Sequence, residues 1–554
     1  MTMKMTGAEI VMKLLERQGI KRVAGIPGGA NLPLYNALNK SKIRHILVRH
    51  EQAAGFIAQG EARRTGRAAV CFATSGPGAM NLLTAIADAK LDSIPIVAIT
   101  GQVASNLIGT DSFQEVDTFG LSFPITKHSY LAKKPEELLE IIPEAFRIAE
   151  SDRPGPVLID IPKDVQMAVC SFKAFPKPGK KVEPKAYQDE VALEAARALI
   201  QSARSPVIIA GGGIIHSEAC PQLRQLAETN NIPVTVTLMG LGAFPADHPL
   251  YIGMLGMHAA KYTNLLMNEA DLIIAAGIRF DDRATGRVEQ FCPNAKVIHM
   301  DIDAAEIHKI RTAHIPMMGD AKEILKALLP RIENNQRKDW INRLQELKER
   351  YPLQICSEDA LHPIRFIQRV HAAVPENTAV ATDVGQHQMW VAQSWLFTHP
   401  RSFLTSGGAG TMGFGLPSVM GAALAGPEKR VILFAGDGSI LMNIQELDTL
   451  AQENLKVTIF VMNNNALGLV RQQQELFYGG NYIASRFESK PDFVKIAEGF
   501  GIKAFHLQEG SQLAGILEKA LNCDGPCLVD VKIDPSLNVL PMVPPGGANI
   551  EMIC

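Results

Sequence analysis

A rhythm in the sequence limits the folds open to this chain. Short, wholly apolar runs recur, each followed by a turn and a stretch of helical periodicity. A continuous apolar run needs burial on both faces, and alternation with helices supplies it in a parallel sheet covered on both sides. The runs fall into three blocks. Residues 1–170 hold Val23–Ile26, Ile43–Val48, Ala68–Ala73, Ile94–Ile99 and Pro156–Ile161. Residues 188–345 hold Val207–Ala210, Val234–Thr237, Leu272–Ala275 and Val297–Asp301. Residues 363–540 hold Ala379–Thr382, Val431–Ala435, Val457–Met462 and Cys527–Lys532. The expectation is an α/β protein of three doubly wound parallel-sheet domains, within the range for 554 residues at about 150 per domain. The Lys- and Pro-rich stretch Phe172–Tyr187 reads as a linker. A polar helix around Lys338–Arg350 and the loop Tyr351–His362 bridge to the third block, and the tail, residues 541–554, should pack irregularly.

Composition excludes several classes. The formal net charge of −2 leaves no basic footprint for nucleic acid. No apolar run reaches the roughly 18 residues of a membrane span; Pro206–Ile215 is short and broken by glycine. The 8 cysteines form no C-x-x-C pair and match no zinc spacing, so a reduced, cytoplasmic compartment is expected. Met1–Leu15 reads as the first helix of the fold rather than a leader, because Ile10, Val11, Leu14 and Leu15 repeat at helical spacing.

The sharpest chemical signal lies in the third block. Val431–Ala435 runs directly into Gly436-Asp437-Gly438-Ser439, a helix is expected from about Ile440 to Asn454, and Val457–Met462 ends in Asn463-Asn464. A right-handed crossover puts both turns at the same sheet edge, so Asp437 and Asn464 should converge. Oxygen donors there suit Mg²⁺, which takes one or two protein ligands beside waters and phosphate oxygens. A glycine-flanked helix start also admits a diphosphate. A capping aspartate alone would explain Gly-Asp-Gly; the paired asparagines favour the metal. In the first block, Arg49-His50-Glu51-Gln52 places Glu51 at a strand's carboxyl end, where α/β sheets bind ligands. Taken alone, an acidic helix start would explain it.

The Gly-Asp-Gly…Asn-Asn spacing resembles the signature of thiamine diphosphate enzymes. From Gly7 to Met552 the chain resembles the large catalytic subunits of acetohydroxyacid (acetolactate) synthases, notably bacterial isozyme I. The resemblance implies a pyrimidine-binding, a central FAD-binding and a diphosphate-binding domain, in that order. It makes Glu51 the partner of N1′ of the thiamine aminopyrimidine, with Thr74, Gly78 and Asn81 around that ring. It gives Val384, Gly385, Gln386 and His387 to the diphosphate, with Gly436, Asp437, Gly438, Ser439, Asn464 and Gly468. It makes Asp437, Asn464 and Ala466 the Mg²⁺ ligands, and it has Gly410 and Met412 support the bent cofactor. Phe113, Gln114, Lys163, Gly29 and Arg283 are implied at the reacting centre. FAD is implied at Arg153, at Gly211, Gly212 and Gly213, at Thr237 and Leu238, and at Leu255, Gly256, Met257 and His258. Further FAD contacts are implied at Gly277, Arg279, Asp281 and Arg283, and at Asp301, Ile302, Asp320 and Ala321.

The implied reaction decarboxylates pyruvate and joins the two-carbon unit to a second 2-keto acid, the first common step of branched-chain amino acid synthesis. Pyruvate gives 2-acetolactate and 2-oxobutyrate gives 2-aceto-2-hydroxybutyrate. Gln473 stands where many relatives carry a tryptophan that favours 2-oxobutyrate, so little preference for the larger acceptor is expected. The family also implies a homodimer with shared active sites and a small regulatory subunit. Glyoxylate carboligases lack the glutamate at position 51. A pyruvate oxidase is the redox alternative, and a non-catalytic relative would not need Glu51, Asp437 and Asn464 together.

Overall fold

The computed structural model describes residues 2–353 and 357–554. Residues 354–356, in the expected bridging loop and including Cys356, lie outside the described residues. Three six-stranded parallel sheets form, one in each block. Across the first, the order is Arg44–Leu47, Arg22–Gly25, Ala69–Ala73, Ile96–Gln102, Val157–Pro162 and His128–Leu131. Across the second it is Tyr251–Met254, Val234–Val236, Pro206–Ala210, Leu272–Ala276, Lys296–Asp301 and Ile315–Met318. Across the third it is Phe403–Leu404, Val380–Thr382, Val431–Gly436, Val457–Asn463, Cys527–Lys532 and Lys503–Leu507. The expected runs are strands, buried except for Ile43–Val48, which forms the mostly exposed edge strand Arg44–Leu47. Five further strands, His128–Leu131, Tyr251–Met254, Ile315–Met318, Phe403–Leu404 and Lys503–Leu507, were not among the expected runs. All five are sheet edges, half wet, so their residues alternate or turn polar.

Two expectations are corrected. The first helix does not span Met1–Leu15. Met3–Thr6 is a strand paired antiparallel with Val169–Phe172, and the helix starts at Gly7, where Thr6 and Glu9 form a reciprocal capping box. The helix expected at Ile440–Asn454 is broken into Asp437–Ile440, Leu441–Asn443 and Glu446–Gln452. At the break its side chains turn to the first block: Asn443 Nδ2 donates to Gln52 Oε1 at 3.1 Å, and Glu446 Oε1 accepts from the amides of Arg49 and His50.

The first and third blocks share one apolar core. The helices Glu51–Thr65 and Gly415–Ala425 cross with backbones nearly touching. A Cβ on Gly60 would lie 1.9 Å from the Ser418 carbonyl oxygen, and one on Gly421 would lie 2.0 Å from that of Ile57. Only glycine allows this approach, and it fixes Glu51, the first residue of its helix, relative to the third block. The tail forms no regular element but is pinned to the central block. Val543 N donates to Met257 O at 2.9 Å, and Asn549 Nδ2 to Ala284 O at 2.9 Å. Among the described residues no helix is long and apolar enough to cross a membrane.

Candidate active site

Asp437 and Asn464 meet as the crossover requires. Asp437 Oδ2 and Asn464 Oδ1 accept from the same amide, that of Ala466, at 3.1 and 3.2 Å. Burial pushes the Asp437 carboxyl up to about 7, against amides that draw it down. Asn464 is aimed by Gln386, whose Oε1 accepts from Asn464 Nδ2 at 3.0 Å and whose Nε2 donates to Gln472 Oε1 and Leu537 O. Gly468 permits this pairing, since a Cβ there would stand 2.1 Å from Gln386 Oε1. Ser439 Oγ closes the turn on Gly436, accepting from its amide and donating to its carbonyl. His387 lies against the same turn: a Cβ on Gly436 would sit 3.0 Å from His387 Nδ1. Burial depresses this histidine to about 3, and its buried Nε2 has no partner among the described residues. A neutral imidazole, clustered amides and two convergent hard oxygens fit a magnesium-bound diphosphate.

The glutamate group forms at the first sheet. Asn81 Nδ2 donates to Glu51 Oε2 at 2.9 Å, and a Cβ on Gly78 would lie 3.2 Å from Glu51 Oε1. Thr74 is buried behind Gly28 and beside Gly78. Gln114 has a φ of +60° and packs its backbone against Gly76. Its loop is held by Glu115, whose carboxylate accepts from the amides of Gly109, Thr110 and Ser112. Phe113 is 87% exposed, and Phe119 and Phe123, close by in the sequence, are exposed too. Lys163 begins the helix after Val157–Pro162 and is half-buried, while Gly29 is exposed. Among the described residues no hydrogen bond joins Glu51 to the Asp437 group within one chain.

A cavity of about 1140 Å³ opens between the blocks. Its walls include Arg153, Gly212, Gly213, Thr237, Leu238, Leu255, Met257 and His258. They also include Gly277, Arg279, Asp281, Arg283, Asp301, Ile302, Asp320 and Ala321, with Gly410 and Gln473 from the third block. Gly211 and Gly256 are not in the lining; they allow close backbone contacts behind it, with the carbonyl oxygens of Gly277 and Arg283. Arg153 is already paired with Asp303 and Glu306, at 2.9 and 2.7 Å. Burial lowers His258 to about 4 and raises Asp301 to about 6. The cavity is large, lined by both polar and apolar residues, and walled by a glycine turn after a strand, which suits a flavin dinucleotide.

Sequence reasoning missed two supports. Asp383, fully buried before Val384, accepts from the amides of Val384, Gly413 and Gly415. It therefore holds the loop carrying the half-buried Met412. Its signal was an acid directly after an apolar run. Asp88 and Asp92, on the helix Pro77–Leu91 and its end, clamp the same loop from the first block. Asp88 Oδ2 accepts from the hydroxyls of Ser406 and Thr411. Asp92 accepts from the amides of Gly407 and Gly408 at 3.0 and 2.7 Å and from Arg63 at 2.7 Å. Two acids spaced four apart on an otherwise apolar helix were visible, but nothing local marked their partner.

The same organisation is found by comparison. Models of the N-terminal TPP binding, central and C-terminal TPP binding domains of thiamine pyrophosphate enzymes match residues 5–121, 193–328 and 383–531. The chain belongs to the thiamine pyrophosphate enzymes. It is 52% identical over 552 residues to the acetolactate synthase isozyme 1 large subunit of Escherichia coli K12, covering 99% of this chain and 98% of that one. The isozyme 2 large subunit of the same organism is 46% identical, with 99% of each covered. A probable acetolactate synthase large subunit of Methanocaldococcus jannaschii is 47% identical over 98% of this chain and 94% of its own length. Within its class, the chain falls among the acetolactate synthase large subunits.

Proposed function

We propose that this chain is a catalytic acetolactate synthase subunit, converting two pyruvates into 2-acetolactate and CO₂, and accepting 2-oxobutyrate as the second partner. The observation that carries this is the convergence of Asp437 and Asn464 on one amide, beside a buried histidine and a glycine turn. Asp437, Asn464 and the Ala466 carbonyl would hold Mg²⁺, and Gly436–Ser439 with Val384–His387 would hold the diphosphate. Thiamine diphosphate, when bound, supplies the electron sink that lets pyruvate lose CO₂ and its two-carbon remainder add to a second 2-keto acid.

The chain's own residues orient and protect that chemistry. Glu51 shares a proton with N1′ of the aminopyrimidine and so moves the proton that activates the ring. Gln114 would donate a hydrogen bond to a substrate oxygen, and Phe113 would keep water from the reacting centre. Arg283 clamps the acceptor carboxylate. Lys163 and Gly29 would close the far side, Met412 would support the bound cofactor, and the large cavity would hold FAD in a structural role.

Among the described residues no hydrogen bond joins Glu51 to the Asp437 group within one chain, and Phe113 stands 87% exposed beside Gln114. Both features support a homodimer in which Glu51 of one copy completes the Asp437 site of the other. Relatives named as large subunits support a small regulatory partner. The cytoplasm is the proposed compartment, supported by seven free cysteines among the described residues.

The test is incubation with pyruvate, thiamine diphosphate, Mg²⁺ and FAD, with product identification. Acetolactate is expected. Peroxide would indicate an oxidase, and tartronate semialdehyde from glyoxylate would indicate a carboligase. Glu51→Gln should lower the rate about 10²–10⁴-fold, the range of a lost general acid–base group, with cofactor binding retained. An undiminished rate would overturn the assignment.

A further inference from the structure

We propose that Lys181–Gln188, a linker by composition, is a strap across the cavity and part of its ligand site, with Lys181 and Lys185 holding the anionic, nucleotide end of a flavin dinucleotide. This rests on the cavity's being a flavin site. Every residue from Lys181 to Gln188 lines the cavity. The segment has no helix or strand of its own, yet it is anchored on both sides. Upstream, Arg17 Nη2 donates to Pro176 O at 3.3 Å and its guanidinium lies 5.6 Å from the Phe175 ring centre. At the near edge, Val182 N donates to Ser151 Oγ at 2.8 Å. Downstream, Tyr187 is half-buried on the central block; a Cβ on Gly319 would meet its ring at 3.3 Å. Between these anchors Lys181–Ala186 is exposed. A bare tether would have no reason to run along a cavity wall.

Position sets the part of the cavity that the strap covers. It lies beside Met318–Ala321, at and just after the edge strand Ile315–Met318 of the central sheet. The third block supplies the remaining wall through Gln388, Gly410 and Gln473. Charge identifies the chemistry. Asp92, Asp281, Asp301, Glu306 and Asp320 all face the cavity. Arg153 is engaged by Asp303 and Glu306, and Arg283 stands 3.7 Å from Asp282. Arg279 also lines the cavity, without an ion pair among the described residues, and Lys181 and Lys185 add two cations from the strap, with Glu183 between them. Lys181 is close enough to Asp320 to draw its carboxyl down against the effect of burial.

The test follows flavin binding and linker accessibility in the full-length protein. FAD binding is measured by equilibrium dialysis for wild type and for the Lys181→Ala/Lys185→Ala double variant, with riboflavin as a probe lacking phosphates. Limited trypsin digestion of wild type with and without FAD reads cleavage after Lys180, Lys181 and Lys185. FAD should protect these sites. The double variant should bind FAD about tenfold more weakly, one charge-assisted contact's worth, with riboflavin binding unchanged. Wild type that takes up FAD while the linker stays equally cleavable, with the double variant binding as well, overturns the strap alone. Wild type that takes up no FAD overturns the flavin reading and the strap together. The substituted lysines are exposed, so folding of the variant is checked by its unchanged thermal unfolding.

Discussion

Asp437 shows what burial does to a single side chain. With its carboxyl pushed up to about 7, a proton competes with the cation below that pH. The charged form binds Mg²⁺, so affinity should be constant above about pH 8 and fall up to about tenfold per unit below 7. Mg²⁺ titrations of cofactor binding at pH 6 and 8 check this; equal affinities would contradict it. Gly468→Ala tests the neighbouring constraint. A Cβ placed 2.1 Å from Gln386 Oε1 must displace the side chain that aims Asn464. A rise of at least about tenfold in the Mg²⁺ needed for half-saturation is expected, without loss of the fold. Gln473 lies in the cavity wall, as does Met542. Gln473→Trp should raise the ratio of 2-aceto-2-hydroxybutyrate to 2-acetolactate in a competition assay, and an unchanged ratio would remove Gln473 from the acceptor pocket.

At the scale of elements, legibility followed burial. Central strands such as Ile96–Gln102 and Val457–Asn463 are buried nearly throughout, so their apolar runs were plain in the sequence. Lys503–Leu507 is mostly wet, and no local pattern separates it from a loop. The helix after Gly436-Asp437-Gly438-Ser439 was legible as a helix but not as a broken one, because Asn443 and Glu446 answer to Gln52, Arg49 and His50, almost 400 positions away. The carboxylate clamp on the loop Ser406–Thr411 was invisible for the same reason. Asp92→Ala would strand Arg63 and two loop amides in a dry site, at a cost of about 3–5 kcal/mol. Urea unfolding should register that loss, and FAD retention should weaken with it, since Ser406–Gly410 line the cavity.

For the whole molecule, the proposed sharing of a site between two copies makes a quantitative prediction. Glu51→Gln and Asp437→Asn should each be inactive alone. Unfolded and refolded together at equal amounts, half of the dimers are hybrids, and each hybrid carries one intact site of two. Recovery of about a quarter of the wild-type rate is expected if sites are shared between copies. No recovery would place each site within one chain. The sequence by itself determined the three parallel sheets, the Gly-Asp-Gly…Asn-Asn pair and the family, because apolar runs and turn glycines are local records of burial and backbone geometry. Only the tertiary structure decided that Gln386 aims Asn464, that Asp88, Asp92 and Asp383 hold the Met412 loop, and that a lysine-rich linker walls a cavity. Those relations join residues from different sheets, and a buried hydrogen bond between distant segments leaves no periodic trace in either one.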